Sequence, residues 1–100
     1  MTNLTKASFD KAIAHGRVLV NFGAVWCGYC RVMVPVVEEF ANKYSSVIKV
    51  ANVDMDEEEA LTARYDITTY PTFILFENGV EVNRKTAANS IEELERMMAQ

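Results

Sequence analysis

Val18-Leu19-Val20-Asn21-Phe22, separated by three residues from Trp26-Cys27-Gly28-Tyr29-Cys30, is the stretch that decides how this chain reads. Its first half is apolar and β-branched enough for a buried strand, and residues 31–44 carry a helical pattern. The chain's only two cysteines therefore fall where a strand hands over to a helix. Two thiols at that spacing can close a disulfide on themselves. The first turn of a helix offers unpartnered N–H groups and a partial positive charge, both of which favour an anion. The attacking form of cysteine is such an anion, and its pKa falls at helix N-termini and in Cys-X-X-Cys motifs. Cys27 comes first and Cys30 lies a turn deeper, which makes Cys27 the expected nucleophile and Cys30 the expected resolving thiol.

Two plainer readings compete with redox chemistry. A structural zinc takes four Cys or His ligands, and two Cys with one His supply too few unless a second chain contributes. Idle core cysteines seldom fall at this spacing beside a tryptophan. The lone histidine, His15, sits beside Gly16 at a helix end, where a solvated side chain interacting with the helix dipole is the simpler reading than catalysis.

One hundred residues, 50% of them apolar, suit one compact domain over 1–100. The formal charge of −4, with no basic cluster, argues against nucleic acid or anionic lipid as a partner. The first ten residues lack a long apolar core behind a basic start, so no signal peptide is read, and no stretch is apolar enough to cross a membrane. The expectation is a cytoplasmic protein whose cysteine pair cycles, rather than a secreted one stapled by it.

Thr5 is expected to cap a short helix whose small or apolar positions are Ala7, Phe9, Ala12 and Ile13 and which His15-Gly16 ends. Residues 47–54 read as a central parallel strand. The acidic run Asp54-Met55-Asp56-Glu57-Glu58-Glu59 opens a short helix to Tyr65, a solvated face rather than a metal site. Strands over 72–77 and 80–85 flank Asn78-Gly79, the strongest short hairpin signal. Ser90 with Glu93 makes a capping box ahead of Ile91, Leu94, Met97 and Met98, a stripe that reads as core packing rather than methionine ligands. With a short initial strand around Asn3-Leu4, alternating strands and helices imply a parallel core carrying an antiparallel edge.

In this order the chain resembles the thioredoxins nearly end to end. Trp26-Cys27-Gly28-Tyr29-Cys30 is similar to the family's active-site loop, Pro35 to its helix-kinking proline, Tyr70-Pro71-Thr72 to its cis-proline loop, and Phe76-Glu77-Asn78-Gly79 to its hairpin turn. The resemblance implies an α/β thioredoxin fold, with a central mixed sheet of four or five strands flanked by helices on both faces. It implies reduction of protein disulfides through Cys27 and Cys30, without metal or organic cofactor, by a monomer that draws electrons from a thioredoxin reductase. Trp26, Gly28, Tyr29, Tyr70 and Pro71 would contact the substrate, with Pro71 in the cis form holding an extended peptide.

Several positions depart from the family pattern. Tyr29 stands where proline is usual, which restores an N–H near the sulfurs; a better stabilised thiolate makes a stronger oxidant. Asn21 replaces a buried aspartate, and Val50 aligns with its lysine partner. Losing both charges together is coherent, because losing one would strand the other in the core. Cys30 must then lose its proton to water reached through a looser loop, or to the departing thiolate. Gly23 replaces a tryptophan and Ala87 a glycine, changes that alter the docking surface. The rivals to a reductase are an oxidase or isomerase with a less reducing potential, and a redox-inert binding module built on Trp26, Tyr29 and Tyr70.

Overall fold

Residues 18–22 lie in a strand at the middle of a five-stranded sheet, and the other elements pack around it. The computed structural model describes residues 1–88 and 90–99. Its elements are β1 (Thr2–Asn3), α1 (Phe9–Ile13), β2 (Arg17–Gly23), α2 (Gly28–Lys43), β3 (Lys49–Asp54), α3 (Glu59–Arg64), β4 (Thr72–Glu77), β5 (Val80–Thr86) and α4 (Ile91–Met98). The strands are ordered β1-β3-β2-β4-β5. β1, β3 and β2 run parallel, with α2 as the crossover that a parallel pair needs, while β4 and β5 pair antiparallel. The sheet is mixed as expected, with five strands rather than four.

β2 reads as a continuous apolar run because both of its faces are covered. Successive side chains point to opposite faces. Val18, Val20 and Phe22 meet Phe9 and Ile13 of α1 and Leu61 of α3. Leu19 meets Met33, Val37 and Phe40 of α2 and Leu94 and Met97 of α4. Met97 is thus core, as its helical spacing implied, and Met98 packs against the same cluster.

The hairpin turn carries Asn78 at φ +50° and Gly79 at φ +86°, the two left-handed residues that a type I′ connection demands. The turn is tied back to the sheet: Gly16 N–H donates to Asn78 Oδ1 at 2.8 Å and Asn78 N–H donates to the Gly16 carbonyl at 2.9 Å. His15 beside it is exposed, in keeping with the solvated reading.

Several boundaries differ from the expectations. Thr5 does not cap α1; its Oγ1 accepts the Ser8 N–H at 3.3 Å, closing a turn that precedes a helix beginning at Phe9. β1 is Thr2–Asn3, not Asn3-Leu4. β3 begins at Lys49 because the Val47 and Ile48 N–H groups are taken by the Tyr44 carbonyl at the end of α2. Most of the acidic run lies outside α3: Asp54 Oδ1 accepts the N–H groups of Asp56 and Glu57, making a turn of residues expected to be helical. The capping bond expected at α4 is present, with Ser90 Oγ accepting the Glu93 N–H at 3.3 Å.

Candidate active site

β2 ends at Gly23 and α2 begins at Gly28, three residues earlier than its sequence pattern indicated, so both cysteines belong to the start of the helix. Cys27 is the N-cap, in extended conformation, and its sulfur accepts the Cys30 N–H at 3.1 Å. A thiol here occupies the place usually held by a Ser or Asp oxygen, which takes N–H bonds from the second and third helical residues. Both cysteines are free thiols and both are buried. Pro35 lies inside α2, where it cannot donate to the Arg31 carbonyl.

Their surroundings drive the two thiols apart. Burial works against a Cys27 thiolate. The Cys30 thiol, the N–H groups of Cys30 and Tyr29, and the charge of Arg31 together outweigh it, and the Cys27 pKa is lowered. Burial, reinforced by the thiol and charge of Cys27, pushes Cys30 up to about 11. Arg31 is one turn along α2 from Cys27, and its Nη1 donates to the Val25 carbonyl at 2.8 Å.

The residues expected to contact substrate converge on this point. Trp26 is 58% exposed and stands edge-on to the Tyr70 ring, with centroids 5.3 Å apart. Its Nε1 donates to the Asp56 carboxylate. Gly28 is exposed, with only the end of the Arg31 side chain within 4 Å of where a Cβ would be. The Tyr70-Pro71 bond is cis. Tyr70 packs against the cysteines, and the Pro71 carbonyl accepts the Ala87 N–H at 3.1 Å. Tyr29 does not simply extend this surface: its hydroxyl lies 3.2 Å from each of the Ala87 and Ala88 carbonyls, lashing α2 to the segment that follows β5. Ala87, at φ +53°, holds a left-handed backbone of the kind that glycine adopts without strain.

Beneath the cysteines, Asn21 is paired in register with Asn52, and its Nδ2 donates to Asn52 Oδ1 at 3.3 Å. Val50 is paired with Leu19 and packs on the α2–α4 side of the sheet. The neighbour of Asn21 is therefore the amide of Asn52, which the sequence reading did not single out. Arg31 and Asp56 were missed as well. The four-residue spacing of Arg31 from Cys27 could have revealed it, whereas nothing local connects Asp56 to Trp26.

The sequence profile of the Thioredoxin family matches residues 1–100. A thioredoxin from Alicyclobacillus acidocaldarius is 41% identical over 97 residues, covering 96% of this chain and 92% of the relative. One from Staphylococcus aureus is 33% identical over 98 residues, covering 98% and 94%. Among solved structures, that of Plasmodium falciparum thioredoxin matches with a TM-score of 0.91 at 33% identity, covering 99% of this chain and 97% of that one.

Proposed function

Because this chain belongs to the thioredoxin family and is accordingly a thiol–disulfide oxidoreductase of the protein-disulfide reductase type, we propose that Cys27 attacks and Cys30 resolves. Cys27 thiolate attacks one sulfur of a substrate disulfide; a Cys27–substrate bond forms and the other substrate sulfur departs with the electron pair and takes a proton. Cys30 loses its proton and attacks the Cys27 sulfur, which closes the Cys27–Cys30 disulfide and releases the second substrate thiol. Two electrons pass from the dithiol to the substrate. The observation that carries the assignment is the thiol N-cap: Cys27 receives donors while Cys30 supplies them.

Trp26 and Tyr70 form the aromatic part of the docking face, Gly28 leaves room for the approaching chain, and Tyr29 bounds it toward Ala87. Pro71, with no N–H of its own, holds an extended peptide beside the sulfurs. The substrates are protein disulfides, and the partner that restores the dithiol is a thioredoxin reductase. The chain works as a single-domain monomer in the cytoplasm and needs no metal or organic cofactor. No helix among the described residues is long and apolar enough to cross a membrane.

The Tyr29 N–H favours a second reading as to potential, since a thiolate with an added donor stabilises the dithiol form. Equilibration with graded glutathione or dithiothreitol decides it. A value near about −270 mV marks a strong reductant, and one near about −180 mV or higher marks an oxidase or isomerase. Cys30→Ser should trap substrates as mixed disulfides on Cys27; a Cys27→Ser variant trapping them instead would reverse the assignment. A Cys27→Ser, Cys30→Ser double variant retaining full cellular function would point to a binding module.

A further inference from the structure

A cleft of about 650 Å³ is lined by Cys30 but not by Trp26, Cys27, Tyr70 or Pro71, so it approaches the resolving thiol from elsewhere than the docking face. Asn21, Gly23 and Asn52 line it too. Gly23 is what leaves it open: a Cβ there would stand 3.3 Å from Cys30 Sγ and 3.8 Å from Asn21 Oδ1. The sulfur and the amide oxygen thus border one space that any larger side chain would fill. Asn21 Nδ2 is engaged by Asn52, while Asn21 Oδ1 is buried without a hydrogen-bond partner among the described residues. A buried acceptor of this kind calls for a donor, and a cleft of this size with amide and charged groups on part of its wall admits water.

We propose that the Cys30 proton leaves through this cleft, taken by a water that Asn21 Oδ1 positions beside Gly23 and passed on to base in bulk solution. The proposal rests on the exchange chemistry above and supplies its missing base, since neither Asn21 nor Val50 can titrate. In the resolving step the S–H bond of Cys30 breaks, its proton goes to the water and from there to solvent base, and the Cys30 thiolate attacks Cys27 Sγ. The electron pair leaves with the substrate thiolate. The open position at 23 and the uncharged amide at 21 thereby act together: the first admits solvent, the second orients it.

The other titratable groups near Cys30 are Cys27 and Tyr29 of α2 and Tyr70 from the loop before β4. The cleft's charged lining is Arg31 and Glu38 of α2, Asp54 of β3, and Glu57 and Glu58 ahead of α3. That lining is mainly acidic and disfavours anionic bases, so the probe is a neutral one, imidazole, at fixed pH and ionic strength.

The test is a single turnover of the full chain with an aromatic disulfide whose thiol is coloured. The first release reports attack by Cys27 and the second reports resolution by Cys30. The second rate should rise in proportion to imidazole, and in Gly23→Trp that slope should fall by about tenfold or more. A cooperative thermal transition shows that the variant has folded; if it has not, Gly23→Ala, which sets one methyl between the sulfur and the amide oxygen, makes the same comparison. A native second phase indifferent to imidazole, or equal slopes in native and variant proteins, would overturn the proposal. Absence of both releases would instead refute the exchange chemistry itself.

Discussion

Replacing Tyr29 with proline removes one of the N–H groups aimed at the Cys27 sulfur and leaves the rest of the helix start intact, because proline is tolerated in the first helical turn. A hydrogen bond to a charged group contributes about 1.5–3 kcal/mol. The lower end applies here, since the sulfur shares its negative charge among several donors. About 1.5 kcal/mol corresponds to about one pKa unit, so the Cys27 pKa should rise by about that much in Tyr29→Pro. The same change destabilises the dithiol form and lowers the reduction potential by up to about 30 mV, in full only above the Cys27 pKa, where the thiolate is populated. Proline also removes the phenol that reaches Ala87 and Ala88, so Tyr29→Ala serves as the control: it loses the side chain and keeps the N–H. The assay is ultraviolet thiolate absorbance, or the rate of alkylation, followed against pH in all three proteins. Tyr29→Ala should stay near the native pKa and Tyr29→Pro should rise. Equal values for the two variants would refute the reasoning, because the backbone donor would then have no influence on the sulfur.

The potential should fall by about 59 mV per pH unit at low pH and by about 30 mV per unit once Cys27 has ionised, since only one proton then accompanies two electrons. The slope should vanish above about 11, where Cys30 also ionises; a first change of slope no lower than the ordinary thiol pKa of about 8.5 would mean that the Cys27 pKa is not lowered. Arg31→Gln should raise the Cys27 pKa, by an amount that shrinks as salt is added because Arg31 is exposed; a shift independent of ionic strength would point to lost packing instead. Ala87→Gly should stabilise the fold. Relief of the left-handed strain, about 1–2 kcal/mol, exceeds the added freedom of the unfolded chain, about 0.4–1 kcal/mol. Denaturant unfolding that shows no gain would indicate that the Ala87 methyl group packs usefully.

Much of the fold could be read locally because local rules governed it. The doubly buried β2, the Asn78-Gly79 turn, the Ser90 cap and the stripe of α4 each depend on residues within a few positions of one another. The differences came where a nearby carbonyl or side chain claimed an N–H group that a helix or strand would otherwise use. The Tyr44 carbonyl delayed β3, and Asp54 gathered the residues expected to open α3. At the site, the cysteine spacing and its strand-to-helix setting already announced thiol chemistry, and Tyr70-Pro71 was recognisable as the facing loop.

The sequence by itself determined which groups could react and roughly where: two thiols at a helix start, a proline loop, and neutral residues at 21 and 50. Tertiary structure decided how those groups differ. It set a donor-rich cap on Cys27 against a buried Cys30, brought Asp56 to Trp26, stretched Tyr29 to Ala87, placed Asn52 rather than Val50 beside Asn21, and left space at Gly23 next to the resolving sulfur. The reason is physical. A residue's chemistry is intrinsic to its side chain, whereas its burial and many of its partners, such as Asn52 for Asn21 and Phe73 across from it in the sheet, come from strands thirty or more positions away.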